Sequence, residues 1–201
     1  MSRVFIIDDD GTDITTFHDV LKNTGSEVFF TGNAYKFIRY AQELTPDLYI
    51  INTDMENTDS HAVIEYMMSQ NFSHRAPIVA VSNKLNIISD GISHYLKRSE
   101  IATLLPEITN SYCKGGQYYD VLLVEKDFLS PLSMSECRNL SCFKVNDSVA
   151  AQLFLGKNHT KLVAIHCPKS QYKQLKQQLK NDNAIYVENV AYLNNLVSFI
   201  K

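Results

Sequence analysis

Carboxylate, amide, hydroxyl and cationic side chains follow directly after short apolar segments in the first half of the sequence. These side chains are Asp8, Asp9, Asp10, Asn52, Asp54, Ser82, Lys97 and Arg98. Clustered carboxylates, together with a hydroxyl group and a cation, could hold a hard metal ion and an oxyanion. Such chemistry requires a fold that brings the ends of the apolar segments to one place.

The apolar segments have the length and continuity of strands that are buried on both faces of a sheet. They are Val4–Ile7, Val28–Phe30, Leu48–Ile51, Ile78–Val81 and Tyr95–Leu96. Amphipathic helical patterns lie between them, such as Ala34–Leu44 with its apolar residues on one face. Alternating strands and helices predict an α/β fold, a doubly wound parallel sheet of five strands. The carboxyl ends of those strands would bring the polar side chains to one edge.

Four segments in this order resemble the receiver domain of two-component response regulators, the CheY-like (flavodoxin-like) family. They are Val4–Asp10 (VFIIDDD), Pro46–Asp59 (PDLYIINTDMENTD), Pro77–Asn83 (PIVAVSN) and Tyr95–Ser99 (YLKRS). The resemblance implies a role for each matching position. It places an acidic pair at Asp8 and Asp9, the phospho-acceptor position at Asn52, and a switch hydroxyl and a switch aromatic at Ser82 and Tyr95.

The sequence departs from the family pattern at positions that carry its chemistry. An amide at Asn52 is neutral and cannot form an acyl phosphate in the usual way, and it removes one negative ligand from the magnesium site. Arg98 stands where the family has lysine, beside Lys97, and Ser99 stands in place of proline. The short stretch from Ser82 to Arg98 predicts a fourth helix, within residues 84–90, that is short or absent. We therefore interpret the first half as a pseudo-receiver.

Simpler interpretations remain open at these positions. A register shift of two residues would make Asp54 the acceptor, and Asp8 with Asp9 could cap the following helix or retain weak Mg²⁺ binding. Ser82 could be an ordinary strand-end hydroxyl, and Tyr95 a packing residue. His18, His61, His74 and His94 show no ligand spacing and are expected at the surface. No cofactor and no metal are expected.

The two halves of the sequence differ in charge, which suggests two units with different partners. Residues 1–108 carry a net charge of −7, and the remaining residues carry +4. The turn-rich segment 109–117, which contains Gly115 and Gly116, is interpreted as a linker. The sequence therefore predicts a pseudo-receiver domain at 1–108 and a smaller α/β domain at 118–201.

The second half repeats the order of the first in a weaker form. Val121–Asp127 parallels Val4–Asp10, and Lys161–Pro168 parallels the third strand, which sets His166 opposite Asn52. The second domain is thus predicted to be a truncated receiver-like unit that ends in a helix over Tyr192–Ile200. We prefer loss of the fourth strand–helix pair, with loss of the last pair as the alternative.

A helix over Ser170–Lys180 is also predicted, and it would align four lysines on one face. They are Lys169, Lys173, Lys176 and Lys180. The stripe would be either a solvated face or a docking surface for an acidic partner. Nucleic acid is disfavoured because no helix-turn-helix pattern and no aromatic interleaving accompany the charge.

These features favour a signalling adaptor or regulator in a bacterial two-component-type pathway that works through protein–protein interaction and without phosphorylation. It is expected not to be an enzyme and to bind protein partners, with a homodimer left open. The alternative is a transcriptional regulator whose basic half contacts DNA. A nucleotide-binding enzyme is disfavoured because the sequence has no GxGxxG loop. An early acidic run and the absence of a long apolar segment indicate a cytoplasmic, non-membrane protein.

Overall fold

The computed structural model describes residues 2–72, 76–84, 91–116, 118–126, 142–181 and 183–189. The chain divides into two compact units, Met1–Gly115 and Gly116–Lys201. Two predicted features lie outside the described residues: most of the short fourth-helix region at 84–90 and the terminal helix at 192–200.

The first unit has a parallel five-stranded sheet of order β2-β1-β3-β4-β5 in the described residues. The strands are β1 Arg3–Ile7, β2 Glu27–Thr31, β3 Leu48–Asn52, β4 Ile78–Ser82 and β5 His94–Lys97. The helices are α1 Gly11–Leu21, α2 Ala34–Glu43, α3 Ser60–Ser69 and α4 Ile101–Thr109, with short 3₁₀ turns at Lys22–Thr24 and Arg98–Glu100. The prediction of a CheY-like α/β fold is confirmed for this unit.

Local sequence explains where several of these elements begin and end. Every residue of β3 and β4 is buried, as continuous apolar runs in a central parallel strand require. Asn33 and Asp59 cap the N-termini of α2 and α3 by accepting hydrogen bonds from backbone N–H groups. Gly25 ends the 3₁₀ turn after α1 in a left-handed conformation, at φ 70°.

Most of the segment predicted to be a linker, residues 109–115, is instead part of the first unit. After α4, residues Asn110–Lys114 form a π-helical turn. Thr109, Ser111 and Tyr112 are buried, and the Tyr112 hydroxyl lies 2.9 Å from His94 Nε2. The boundary prediction was wrong because it relied on the polar, glycine-containing composition of 109–117, which does not reveal that Tyr112 contacts His94 on β5. For the same reason His94 is buried rather than at the surface.

The second unit has a four-stranded parallel sheet of order β7-β6-β8-β9 in the part of the chain that is described. Its strands are β6 Tyr118–Glu125, β7 Cys142–Val145, β8 His159–His166 and β9 Ile185–Tyr186, and its helices are α5 Ser148–Leu155 and α6 Tyr172–Leu179. β9 pairs directly with β8, beside which it takes the place that β4 has beside β3 in the first sheet. This pairing is expected whether the fourth or the last strand–helix pair was lost.

α6 includes two lysines of the predicted stripe, Lys173 and Lys176, whereas Lys169 precedes the helix and Lys180 is its C-terminal cap, at φ 51°. Lys176 Nζ lies 5.8 Å from the centre of the Tyr172 ring. The helix is slightly shorter than the predicted range 170–180, and the docking role of the four lysines stays a prediction.

No helix among the described residues combines the length and apolar character that a membrane crossing requires.

Candidate functional site

The carboxyl edge of the first sheet brings Asp8 and Asn52 together. β1 and β3 are paired with Ile7 opposite Ile51, so the next residue of each strand lies beside the other. The two side chains are each 1% exposed, and Asn52 Nδ2 donates a 2.7 Å hydrogen bond to Asp8 Oδ1. A buried carboxylate thus receives an N–H group from the position expected to hold the acceptor.

The orientation of the Asn52 amide is fixed on both sides. Its Oδ1 accepts a 2.9 Å hydrogen bond from the Asp54 backbone N–H, while its Nδ2 faces the Asp8 carboxylate. If the oxygen and nitrogen were exchanged, the Asn52 NH₂ group would face the Asp54 N–H, and the Asn52 oxygen would face the Asp8 carboxylate. Both contacts would then be repulsive. The hydrogen-bond network therefore assigns the amide, and the assignment leaves the Asn52 oxygen turned toward the loop after β3.

The other two aspartates after β1 have different neighbours. Asp9 Oδ2 accepts a 2.7 Å hydrogen bond from the Asn57 backbone N–H in the loop after β3. Asp10 Oδ2 lies 3.3 Å from Arg98 Nη1, and the backbone N–H of Asp10 donates to Asp8 Oδ1 at 2.9 Å. The predicted cation of the pocket is thus Arg98, and its partner is Asp10.

Asp54 joins the end of β3 to the end of β4. Its Oδ1 accepts a hydrogen bond from Ser82 Oγ at 2.7 Å, and its Oδ2 accepts one from the Asn83 backbone N–H at 2.6 Å. Ser82 Oγ in turn accepts from the Lys84 backbone N–H at 2.8 Å. The sequence placed Asp54 in the polar cluster and offered it as an alternative acceptor, but it did not predict that Asp54 links the end of β3 to Ser82. The sequence signal for this role was an acidic residue two positions after the end of β3, because β3 pairs with β4 and β4 ends at Ser82.

Two of the predicted residues have other surroundings. The Lys97 side chain is exposed, and its backbone N–H donates to Glu100 Oε2 at 2.9 Å. Tyr95 is partly buried and packs against the apolar core that contains Phe5 and Tyr49. The first unit therefore gathers Asp8, Asn52, Asp54 and Ser82 into one hydrogen-bonded network.

The donor set does not fit a resident Mg²⁺. Magnesium needs near-octahedral oxygen ligands, but Asn52 presents an N–H group to Asp8, and Asp9 Oδ2 accepts from a backbone N–H. Within the described ranges, no group of three or more His, Cys, Asp or Glu residues is placed to hold a metal ion.

The second sheet also carries a polar cluster at its carboxyl edge. Glu125 and His166 are the last residues of β6 and β8 and are paired in register. They correspond to Asp8, directly after β1, and Asn52, the last residue of β3. Glu125 is 3% exposed and forms an ion pair with Lys144 Nζ, and His166 Nε2 lies 3.9 Å from Glu125 Oε1. His166 Nδ1 lies 3.0 Å from the Val187 carbonyl oxygen. Sequence analysis placed Glu125 opposite Asp8 but missed Lys144, which lies on the neighbouring strand.

The sheet order and the acidic carboxyl edge of the first unit define a receiver-type α/β domain. Residues 4–100 match the model of the response regulator receiver domain. This part of the chain is therefore a receiver domain of the kind found in two-component signalling proteins.

Solved structures with this fold are distant in sequence. A CheY-like receiver domain from Methylobacillus flagellatus is 18% identical, covering 55% of this chain and 98% of that one, with a TM-score of 0.47. The response regulator TrrA from Thermotoga maritima, in complex with Mg²⁺ and BeF, is 18% identical, covering 56% and 99%, with a TM-score of 0.49. The receiver domain of a Pseudomonas aeruginosa sensor histidine kinase, with magnesium in its active-site cleft, is 17% identical, covering 55% and 96%, with a TM-score of 0.48. No curated protein matches the chain.

Proposed function

We propose that this protein is a phosphorylation-independent signalling adaptor or regulator, located in the cytoplasm, whose receiver domain acts by binding other proteins. It is not an enzyme in this proposal, because the acceptor position offers no nucleophilic carboxylate. Its second unit is a truncated receiver-like domain, supported by a parallel sheet whose order repeats that of β2-β1-β3-β4.

The observation that carries the proposal is the hydrogen bond from Asn52 Nδ2 to Asp8 Oδ1. In this geometry the Asn52 amide donates a hydrogen bond to Asp8 and accepts one from the Asp54 backbone N–H. Phosphoryl transfer to an aspartate needs a carboxylate oxygen at this position and a cation to balance the transferred charge. The amide supplies neither, and it already stabilises the carboxylate that would bind the cation.

The hydrogen-bonded network also supports a single conformation. Asp8 and Asn52 join β1 to β3, and Asp54 joins the loop after β3 to the end of β4. Buried hydrogen bonds to a carboxylate are stronger than those between neutral groups. A domain whose strand ends are held in this way would present the same surface whether or not a phosphoryl donor is supplied.

The test compares the full-length wild-type chain with its Asn52→Asp variant. Each is incubated with acetyl phosphate and Mg²⁺, and intact mass spectrometry at short times measures the added phosphoryl group. Amide NMR spectra with beryllofluoride and Mg²⁺ report binding at the loop after β3. We expect no added mass for the wild type and no shifts near Asn52.

A wild-type adduct that maps to the receiver domain, or sub-millimolar beryllofluoride binding at Asn52, would contradict the proposal. Ser82→Ala serves as the matched control, since it alters the same edge but leaves the acceptor position unchanged. Partner capture gives the second arm: the same proteins should bind the chain with or without acetyl phosphate.

A further inference from the structure

We propose that Asp54 is a built-in oxyanion: its carboxylate occupies the hydrogen-bond donors of Ser82 and Asn83 at the end of β4 and so holds the loop after β3 against residues 82–84 in one arrangement. This inference rests on the proposed function and deepens it, because it names the group that makes the conformation constant.

The geometry is that of an oxyanion held by two donors. Each carboxylate oxygen of Asp54 has its own donor, Ser82 Oγ at 2.7 Å and the Asn83 backbone N–H at 2.6 Å. A hydroxyl has one proton, and the carboxylate is a stronger acceptor for it than the Lys84 carbonyl oxygen at 2.9 Å. The Lys84 backbone N–H donates back to Ser82 Oγ at 2.8 Å, which orients the hydroxyl toward Asp54.

The position of Asp54 is itself fixed by the site. Its backbone N–H donates to Asn52 Oδ1, and Asn52 is anchored through Nδ2 to the buried Asp8. Asp54 is thus tied at its backbone to the end of β3 and at its side chain to the end of β4. One connected set of hydrogen bonds runs from Asp8 through Asn52 and Asp54 to Ser82 and Asn83.

Two consequences follow from this connection. The donors that could bind an external oxyanion at the end of β4 already have an internal one, so phosphate has little to gain there. Removing the Asp54 carboxylate should both release Asn83 and leave the Ser82 hydroxyl and the Asn83 backbone N–H as a vacant pair of donors. We call this arrangement, in which Asp54 holds Ser82 and Asn83, the clamp. If the clamp exists, removing the carboxylate should free both donors, whereas loss of an incidental surface contact should not.

The experiment uses the full chain as wild type, Asp54→Ala and the matched control Glu56→Ala, which changes an exposed carboxylate in the same loop. Hydrogen–deuterium exchange followed by NMR measures protection of the Asn83 amide. Loss of a charge-assisted hydrogen bond should raise its exchange rate by on the order of tenfold or more. Glu56→Ala should leave that rate unchanged.

Inorganic phosphate is the probe for the vacant donors. Titration to millimolar concentration should shift the Asn83 and Ser82 amide signals in Asp54→Ala but not in the wild type. Asp54→Asn keeps the shape and one acceptor, so it provides a folded variant if Asp54→Ala does not fold. Its Asn83 amide should exchange at a rate between those of the wild type and Asp54→Ala.

Unchanged Asn83 protection in both Asp54 variants would overturn the clamp. Phosphate shifts of the same size in the wild type would overturn the internal occupation of the site. Neither result depends on acetyl phosphate, so failure of the clamp is distinguishable from failure of the proposed function, which is read from phosphorylation of the wild type.

Discussion

Asn52 Nδ2 lies 2.7 Å from Asp8 Oδ1, and both side chains are 1% exposed at the ends of two paired strands. The pair is a neutral donor against a buried carboxylate. A second carboxylate at position 52 would place two like charges at the same distance, in surroundings where water screens them poorly.

Asn52→Asp should therefore lower the stability of the first unit and make it depend on divalent cations. Loss of the buried donor is expected to lower the free energy of unfolding by about 1–3 kcal/mol. Mg²⁺ should restore part of that loss in the variant and have little effect on the wild type. Urea denaturation, with and without Mg²⁺, measures both quantities.

The same variant should gain at most weak phosphorylation, because Arg98 and the short stretch from Ser82 to Arg98 also depart from the family pattern. Asn52→Ser is the matched control, since it removes the amide and adds no charge. Robust labelling of Asn52→Asp alone would show that the acceptor position is the single defect of the site.

Gly91 and Gly25 form a matched pair for testing backbone strain. Both have positive φ angles, 86° and 70°, but a Cβ on Gly91 would overlap Met68 Sδ, whereas a Cβ on Gly25 would meet nothing within 4 Å. Gly25→Ala should cost about 1–2 kcal/mol, the ordinary penalty for a left-handed residue. Gly91→Ala should cost more than Gly25→Ala, by up to about 1 kcal/mol, because the flexible end of the Met68 side chain must also move. Equal losses in urea denaturation would contradict the overlap.

Lys144 should matter more to the second unit than Lys161 does. Lys144 pairs with Glu125, whose side chain is 4% exposed, while Lys161 pairs with Asp120, whose side chain is 27% exposed, at 2.9 Å. Lys144→Ala leaves a buried carboxylate without its ammonium partner and should cost about 1–3 kcal/mol. Lys161→Ala should cost less than about 1 kcal/mol. Chemical denaturation followed by circular dichroism compares them, and the reverse order would refute the burial argument.

Tyr112→Phe tests the contact that closes the first unit. It removes the hydroxyl 2.9 Å from His94 Nε2 and leaves the ring in place. Because His94 is buried, the loss should be about 1–2 kcal/mol. Tyr35→Phe is the control, since Tyr35 is 74% exposed and should change nothing measurable. A denaturation midpoint that does not move for Tyr112→Phe would exclude a stabilising hydrogen bond.

The strands of both units were accessible from sequence because buried parallel strands are continuous apolar runs. β1 and β3 are examples, and once they are placed, the rule of strand carboxyl ends brings Asp8 near Asn52. The second sheet was predicted in the same way, from the likeness of Val121–Asp127 to Val4–Asp10. Pattern and periodicity thus determine which residues share an edge.

The remaining features depend on partners that are distant in sequence. The choice of Ser82 and Asn83 by the Asp54 carboxylate depends on side-chain rotamers, and the ion pair of Lys144 with Glu125 depends on strand register. Leu123 lies opposite Lys144, and Glu125 follows two residues later on the same face of the sheet. The buried π-helical turn carries a polar sequence, so composition alone pointed to a linker.

That turn has a consequence for how the receiver domain can be separated or recombined. Cutting the chain at the end of the α4 pattern would discard Tyr112 and open a polar cavity at His94. It would also remove the carbonyl of Cys113, which accepts a 2.7 Å hydrogen bond from Ser2 Oγ. The first and last segments of the unit are therefore fastened to each other, and a transplantable module must keep the residues through Gly115. A fusion protein whose boundary lies six or seven residues before Gly115 would therefore contain an incomplete receiver domain.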